Sequence, residues 1–254
     1  MAAQNRLIAN PQDKAALAEI VDMLRSDSSI VARANAASAL GTVAEQHAGA
    51  IKDVAVPSLI DALDRDTIGV KDSAARSLAK FGRFAKDAIP VLRKNLTPSD
   101  TSVAWFSAEA LGNIGDEAGE AVPDLVKVIE ATQATCVDDS AHICHYAVTA
   151  LGKIGPAARA SLPQLEVLLN SSNPYFRARL AVAIIRIDPT DQKAIDSLQV
   201  LLKDKEVRVR RVTIWSLAES GRDAKPAKKL IQAAEADPDE SVRLAAAKLS
   251  KEIG

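Results

Sequence analysis

The stretch AVTALGKIG, residues 147–155, decides the fold because it recurs along the whole chain. Close copies are SAEALGNIG at 107–115 and AASALGTV at 36–43, and weaker copies follow the same pattern elsewhere. The central apolar residue of each copy serves as an anchor. The anchors are Leu40, Leu78, Leu111, Leu151, Ile184, Leu217 and, out of pattern, Ser250, with successive spacings of 38, 33, 40, 33, 33 and 33 residues. The sequence is therefore an internal repeat with a unit of 33 residues.

A second segment completes each unit, and it reads AVPSLIDAL at 55–63, AIPVLRKNL at 88–96 and AVPDLVKVI at 121–129. Proline suits the first turn of a helix, where its missing N–H would have no partner in any case. Four residues past most anchors stands a glycine, as at Gly115 and Gly155. This glycine predicts a helix end in the left-handed conformation. Each unit is predicted as helix, glycine turn, proline-started helix and turn.

A single helix pair cannot bury its apolar face, so the units must stack on one another. We therefore predict an all-α fold, a right-handed superhelical α-solenoid of about seven helix pairs that forms one domain over residues 1–254. Small residues before the anchors, such as Ala108 and Ala147, would let neighbouring helices approach closely. The low aromatic content of 3% also disfavours a β-sandwich or barrel.

The repeat resembles the HEAT-like repeats of the bacterial type first described in phycobilin lyases. The resemblance is carried by VKDSAARSLAKFG at 70–82 followed by AIPVL, and by VAWFSAEALGNIG at 103–115 followed by AVPDL. It covers the chain from about Leu17 to Gly254. It implies an armadillo-like solenoid and leaves the function open, because such repeats serve many roles.

Among enzymes of this repeat class, deoxyhypusine hydroxylase uses His-Glu dipeptides, and none is present here. Because the sequence carries no catalytic constellation, we expect a non-enzymatic scaffold without a cofactor that binds another protein or peptide segment on its concave face. A phycobilin lyase-like, chromophore-handling protein is the alternative. A fragment of a larger multidomain protein is a further one.

The repeat is interrupted at two places, near 44–54 and near 131–142. The second insertion contains Cys136 and His142, while Cys144 and His145 are expected to begin the following helix. Cys136 and Cys144 are the two cysteines of the chain. Three interpretations stay open. A Cys136–Cys144 disulfide would close a short loop, the thiols could be free, or Cys136, His142 and Cys144 could bind a metal as a minor alternative. Adjacent residues of a helix diverge by about 100°, so Cys144 and His145 are not expected to share one metal ion.

The resemblance to this repeat class implies that the second helices line the concave face, so candidate partner-binding residues lie four positions after each proline equivalent. They are Asp61, Lys94, Lys127, Val167, Val200 and Ala233. Trp105 and Tyr175 lie near helix starts and are candidate exposed anchors.

The net charge of −1 disfavours nucleic-acid binding, which usually needs a positive excess. No apolar run is long enough to cross a membrane, and no signal peptide is visible. We therefore expect a monomeric cytoplasmic protein, or a periplasmic or secreted one if a signal peptide has been removed.

Overall fold

The computed structural model describes residues 2–99, 101–136 and 142–254 and shows an all-α solenoid. Within these residues every regular element is helical. The α-helices are α1 (Ala2–Ala9), α2 (Lys14–Ser26), α3 (Ile30–Arg65), α4 (Ile68–Phe81), α5 (Ile89–Lys94), α6 (Ser102–Ile114), α7 (Val122–Thr132), α8 (Ile143–Ile154), α9 (Leu162–Leu168), α10 (Pro174–Ile187), α11 (Gln192–Leu201), α12 (Val207–Glu219), α13 (Lys228–Ala234) and α14 (Glu240–Ile253). None of them combines the length and the apolar composition that a membrane span requires.

The helices alternate between two kinds, as the repeat predicts. The first helices of the units, which carry the anchors, are the N-terminal part of α3 and then α4, α6, α8, α10, α12 and α14. The second helices are α2, the C-terminal part of α3, α5, α7, α9, α11 and α13. Consecutive first helices contact each other along the whole series. Each unit therefore adds one helix to each of two layers.

Glycine ends most first helices, but its conformation differs from the predicted one. Gly82, Gly115 and Gly155 have φ values of 52°, 87° and 67°, and their ψ values lie between −131° and −143°. This region differs from the left-handed helical region and is accessible essentially to glycine alone. A short 3₁₀ segment follows each of these glycines and leads to a second helix with proline in its first turn. The predicted helix, turn and proline-started helix are confirmed.

The first insertion, near 44–54, is helical. Ala44 stands where most other units have their glycine, and α3 continues through the insertion to Arg65 with Pro57 inside it. The helix departs from helical geometry only at His47, where φ is −134° and ψ is 25°. The first unit therefore has a bent helix in place of a helix pair joined by a 3₁₀ segment.

The second insertion, near 131–142, partly extends a helix. The helix α7 has 11 residues, compared with 6 in α5 and 7 in α9. A 3₁₀ turn at Gln133–Thr135 follows and leads to Cys136. The rest of the insertion, residues 137–141, lies outside the described residues. The prediction that Cys144 and His145 begin the next helix is confirmed by α8.

The anchors form the centre of the apolar core. The six apolar anchors are all fully buried, namely Leu40, Leu78, Leu111, Leu151, Ile184 and Leu217. In α14, Ser250 occupies the anchor position and is only half-buried, while the neighbouring Leu249 is 1% exposed and packs in the core. One cluster of buried residues extends from Ala3 to Ile253. A continuous core is what stacking of units requires.

First helices approach one another unusually closely. A Cβ atom added at Gly112 would lie 2.8 Å from Ala150 Cα, and one added at Gly152 would lie 3.0 Å from Ala183 Cα. At Gly41 the nearest atom would be Ser77 Oγ, at 2.4 Å. Real Cβ atoms almost never come this close, so the glycine after the anchor is needed for helix-to-helix packing. The small residues next to the anchors thus set the spacing of the first-helix layer.

Candidate partner-binding surfaces

The second-helix row predicted to bind a partner is exposed along its length. Its members are Asp61, Lys94, Lys127, Val167, Val200 and Ala233. Val167 and Val200 are 67% and 65% exposed and line one groove of about 690 Å³ between α9 and α11. Lys94 is paired with Asp64 at 2.6 Å, and Asp61 with Arg65 at 3.1 Å. The apolar end of the row is therefore its accessible part, and its role in binding stays a prediction.

We infer from two observations that this row lies on the outer side of the solenoid, contrary to our expectation. First, first helices touch through glycine and alanine, whereas neighbouring second helices are separated by open grooves such as the one between α9 and α11. A stack bends toward its more closely spaced layer, so the first helices form the inner layer.

Second, exposure varies along the first helices as it would on a concave surface. Equivalent positions of successive first helices are exposed at both ends of the solenoid and half-buried or buried in the middle; in chain order they are Ser38, Arg76, Glu109, Thr149, Val182, Trp215 and Lys248. We call this row, together with the equivalent residues three positions earlier and four positions later in each helix, the inner face.

Aromatic residues with cationic neighbours occupy the middle of the inner face. The Arg76 guanidinium lies over the Phe106 ring, 4.3 Å from its centroid. The rings of Trp105 and Tyr146 stack with centroids 5.8 Å apart. Burial, and to a lesser extent the charge of Glu109, raise the pKa of Tyr146. This arrangement gives a firm, partly apolar surface with a polar edge.

The two aromatic residues predicted as exposed anchors are both half-buried. Trp105 belongs to the stack with Tyr146. The Tyr175 hydroxyl donates a hydrogen bond to Glu206 at 3.1 Å, and Arg208 lies over its ring. Tyr175 thus joins α10 to the start of α12. Trp215, which is 47% exposed, is the more accessible aromatic residue on the inner face.

A cleft of about 230 Å³ lies on the inner face between α8, α10 and α12. Its charged lining residues are Lys153, Arg179, Arg186 and Glu219. Lys153 Nζ donates a hydrogen bond to Asn113 Oδ1 at 2.7 Å. Burial lowers the pKa of Lys153, and the neighbouring Arg186 adds to this effect while Glu109 and Glu219 oppose it. The cleft therefore concentrates positive charge in partly desolvated surroundings.

The two arginines of the cleft are incompletely bonded. Arg179 makes no hydrogen bond or ion pair with any described residue, and its Nε is buried. Arg186 Nη2 pairs with Asp223 at 3.1 Å, but its buried Nε likewise lacks a hydrogen-bond acceptor among the described residues. Buried donors are normally satisfied, so these atoms need an explanation.

Sequence reasoning missed this cleft. Arg179 lies three positions before Val182, and Lys153 and Arg186 lie four positions after Thr149 and Val182. Spacings of three and four place such residues on one helical face. An alignment of the first helices by their anchors shows this cluster of basic residues in the sequence. The expectation that the second helices form the inner layer directed the search to the other helices.

In the cysteine cluster the structure pairs Cys136 with Cys144 as a disulfide, with 6.6 Å between the Cα atoms. Both residues are buried, as is His145. A ligand atom of His145 lies within 4.8 Å of both sulfur atoms. The minor metal alternative therefore involves His145 in place of His142, despite the divergence expected for adjacent residues, and it requires the disulfide to be open.

The position of Cys144 in the repeat explains why a covalent link is useful there. In four units an arginine near the start of the first helix donates from Nη1 to the carbonyl oxygen six residues earlier, in the preceding turn: Arg33, Arg177, Arg210 and Arg243. By anchor register Cys144 occupies the same position. We call this arginine-to-carbonyl hydrogen bond the arginine staple. In the unit with the longest preceding turn, the disulfide from Cys144 to Cys136 occupies the place of this staple.

Hydrogen bonds connect the disulfide to the first helix of the next unit, α10. The Cys136 carbonyl accepts a hydrogen bond from the side-chain amide of Asn173. The Asn173 side-chain oxygen in turn accepts from the backbone N–H groups of Tyr175 and Phe176 and so caps α10. The disulfide therefore fixes the start of α8 relative to the start of α10, the two helices that carry Lys153 and Arg179.

Comparisons with known proteins agree on the repeat class. A chain of the complex of CpcE and CpcF of phycocyanin lyase from Nostoc sp. PCC7120 is 21% identical, with a TM-score of 0.59 and coverage of 94% of each chain. Importin beta is 15% identical with a TM-score of 0.55, covering 98% of this chain and 36% of that chain. An engineered protein is 21% identical with a TM-score of 0.51, covering 93% and 96%. At these identities the likeness establishes the fold alone.

A comparison with curated protein sequences found no match. The family model of HEAT repeats, in contrast, matches residues 56–141 and 161–250, which together make up more than half of the chain. With the repeat, the paired helices and the solenoid neighbours all in agreement, this chain belongs to the family of HEAT repeat proteins.

Proposed function

We propose that this protein is a non-enzymatic interaction scaffold that binds a segment of a partner protein along its inner face. The observation that carries the proposal is the cleft beside the aromatic residues, since accessible rings and unsatisfied cations occur together there. Aromatic residues and arginine are enriched at the energetic centres of protein interfaces. The continuous core and close helix packing support a rigid surface that needs little ordering on binding.

Immobilised protein tests this function by capture of partners from a lysate of the source cells. We expect Tyr146→Ala combined with Trp215→Ala to lose the partners that the wild type retains, because large contact rings are removed from the inner face. The matched control is Val167→Asp combined with Val200→Asp in the outer groove. Loss of capture in the outer pair alone, with both variants folded by circular dichroism, would move the binding surface to the second helices.

A chromophore-handling protein is the second candidate. The parallel stack of Trp105 and Tyr146, with an interplanar angle of 5°, offers a flat aromatic surface to a planar pigment. The cleft volume of about 230 Å³ is small for a whole tetrapyrrole, so a pigment would lie across the inner face instead of within the cleft. Visible absorbance of the protein purified from its source distinguishes the two functions: pigment supports the second candidate, and a colourless protein with captured partners supports the scaffold.

The location follows from the state of the cysteines. A Cys136–Cys144 disulfide would persist in an oxidising compartment and be reduced in most cytoplasms. Retention of both thiols in the protein isolated from its source under alkylating conditions supports the cytoplasmic location. A fully oxidised pair supports the periplasmic or secreted alternative.

A further inference from the structure

We propose that the cleft lined by Lys153, Arg179 and Arg186 binds a carboxylate side chain of an acidic segment in the partner. This inference rests on the proposed scaffold function and names the chemistry of the partner. The contacts around Arg179 provide its starting point. A guanidinium has five N–H donors, and Arg179 uses none of them within the described part of the chain.

A half-buried arginine without a hydrogen bond or ion pair is unusual among the described residues. Arg33, Arg93 and Arg210 each form two-point contacts with neighbouring carboxylates. Leaving a partly desolvated charged donor without a partner costs free energy. Since Arg179 forms no hydrogen bond or ion pair that joins the described helices, an external acceptor is the simplest reason for its position.

The other groups of the cleft fit a carboxylate. Arg186 has a buried Nε without an acceptor among the described residues, and Lys153 has donors left beyond its hydrogen bond to Asn113. The hydroxyls of Thr149, Ser216 and Ser220 also line the cleft. Arginine is the side chain best suited to bind a carboxylate with two parallel hydrogen bonds.

The nearby anions limit the cleft to a modest affinity. Glu219 lines it, Glu109 acts on Lys153, and Asp223 neutralises part of Arg186. Arg179 is the cation of the cleft that has neither a hydrogen bond nor an ion pair with a described residue, so it should contribute most of the specificity. The small volume admits one side chain and excludes a large ligand. The partner segment is therefore expected to insert a single Asp or Glu here while its flanking residues lie on the aromatic surface.

Fluorescence anisotropy with a short labelled oligoglutamate peptide tests the inference, with oligoglutamine of the same length as the uncharged probe. We expect the wild type to prefer oligoglutamate at low ionic strength and to lose the preference as salt screens the charges. Arg179→Met should weaken oligoglutamate binding about tenfold, the loss typical of a charged hydrogen-bonding group. Arg179→Met should melt no lower than the wild type, because methionine keeps an unbranched apolar side chain and no hydrogen bond or ion pair to a described residue is lost.

Lys248→Met is the matched control, since Lys248 is an exposed cation in the same row on α14. It should bind oligoglutamate like the wild type. Equal weakening by Lys248→Met and Arg179→Met would overturn the inference, because only overall charge would matter. Binding of inorganic phosphate without binding of oligoglutamate would overturn it in favour of a free-anion site.

The captured partners separate this inference from the scaffold function. If Arg179→Met retains the partners of the wild type at full strength, the carboxylate site is refuted and the scaffold stands. If the wild type captures no partner at all, the scaffold is refuted.

Discussion

At the residue scale, the glycine after the anchor is the residue that sequence reasoning undervalued. The pattern Ala-Leu-Gly identified the repeat, but only the leucine and the alanine were given a structural role. The structure shows that Gly112 and Gly152 allow the backbones of neighbouring first helices to come together. No single helix contains this information, because the partner atom belongs to the next unit.

Gly112→Ala tests this role directly. Alanine favours a helix over glycine by about 1 kcal/mol, but the new Cβ would lie 2.8 Å from Ala150 Cα. Overpacking of this kind typically costs about 1–3 kcal/mol. We expect Gly112→Ala to lower the free energy of unfolding measured in urea. Gly69→Ala, in the first turn of α4 where nothing lies within 4 Å, should leave it unchanged or raise it. Equal gains in both variants would contradict the packing role.

At the scale of elements, the turns between units are held by repeated staples. Arg33 joins two successive turns, since it donates to the Asp27 carbonyl and pairs with Asp66 at 2.8 Å. Arg210 makes the equivalent contacts with Asp204 and Asp237. The sequence predicted the helices on either side of these turns, but the staples connect residues of different units and become visible only in the stack.

The disulfide staple predicts a response to reductant. Closing the loop from Cys136 to Cys144 stabilises the native state by about 2–3 kcal/mol in the chain-entropy model. The melting temperature of the wild type should therefore fall when a phosphine reductant is added. Cys136→Ala combined with Cys144→Ala should have the melting temperature of the reduced wild type, and this temperature should not change when the reductant is added. If alkylation shows that the reductant has freed the thiols and the melting temperature of the wild type is still unchanged, the disulfide does not stabilise the protein.

The Arg33 staple predicts a dependence on pH. The hydrogen bond from Arg33, supported by the backbone N–H of Thr67, lowers the pKa of Asp66 below its ordinary value. Because this pKa is lowered by folding, the stabilisation is complete above the ordinary value near pH 4 and is lost as the pH falls through the folded value.

Asp66→Asn should accordingly lower the free energy of unfolding at pH 7. The difference from the wild type should shrink as the pH falls below 4, because the wild-type carboxylate is then protonated as well. Asp87→Asn is the control, since Asp87 is exposed and has no hydrogen bond or ion pair within the described residues. A deficit in Asp66→Asn that is constant from pH 7 to pH 2 would assign the effect to packing.

At the scale of the whole molecule, the repeat predicted the solenoid but could not predict the direction in which it curves. The two layers are composed of similar helices, and the stack bends toward whichever layer is more closely spaced. The difference in spacing between the two layers depends on contacts between units. Gly152 and Ala183 bring first helices close together, whereas an open groove beside Val167 separates second helices. The candidate row from Asp61 to Val200 lies on the second helices, as predicted, and the closer spacing of the first helices points to the opposite side as the concave one.

The central claim is that the partner binds the inner face formed by the first helices. Site-specific photo-crosslinking in the source cells tests it most directly, with benzoylphenylalanine placed at Thr149 on the inner face or at Lys127 on the outer row. We predict a reproducible crosslinked partner from position 149 and none above background from position 127, with the crosslinked peptide rich in Asp or Glu. A partner crosslinked from position 127 and absent from position 149 would contradict the account.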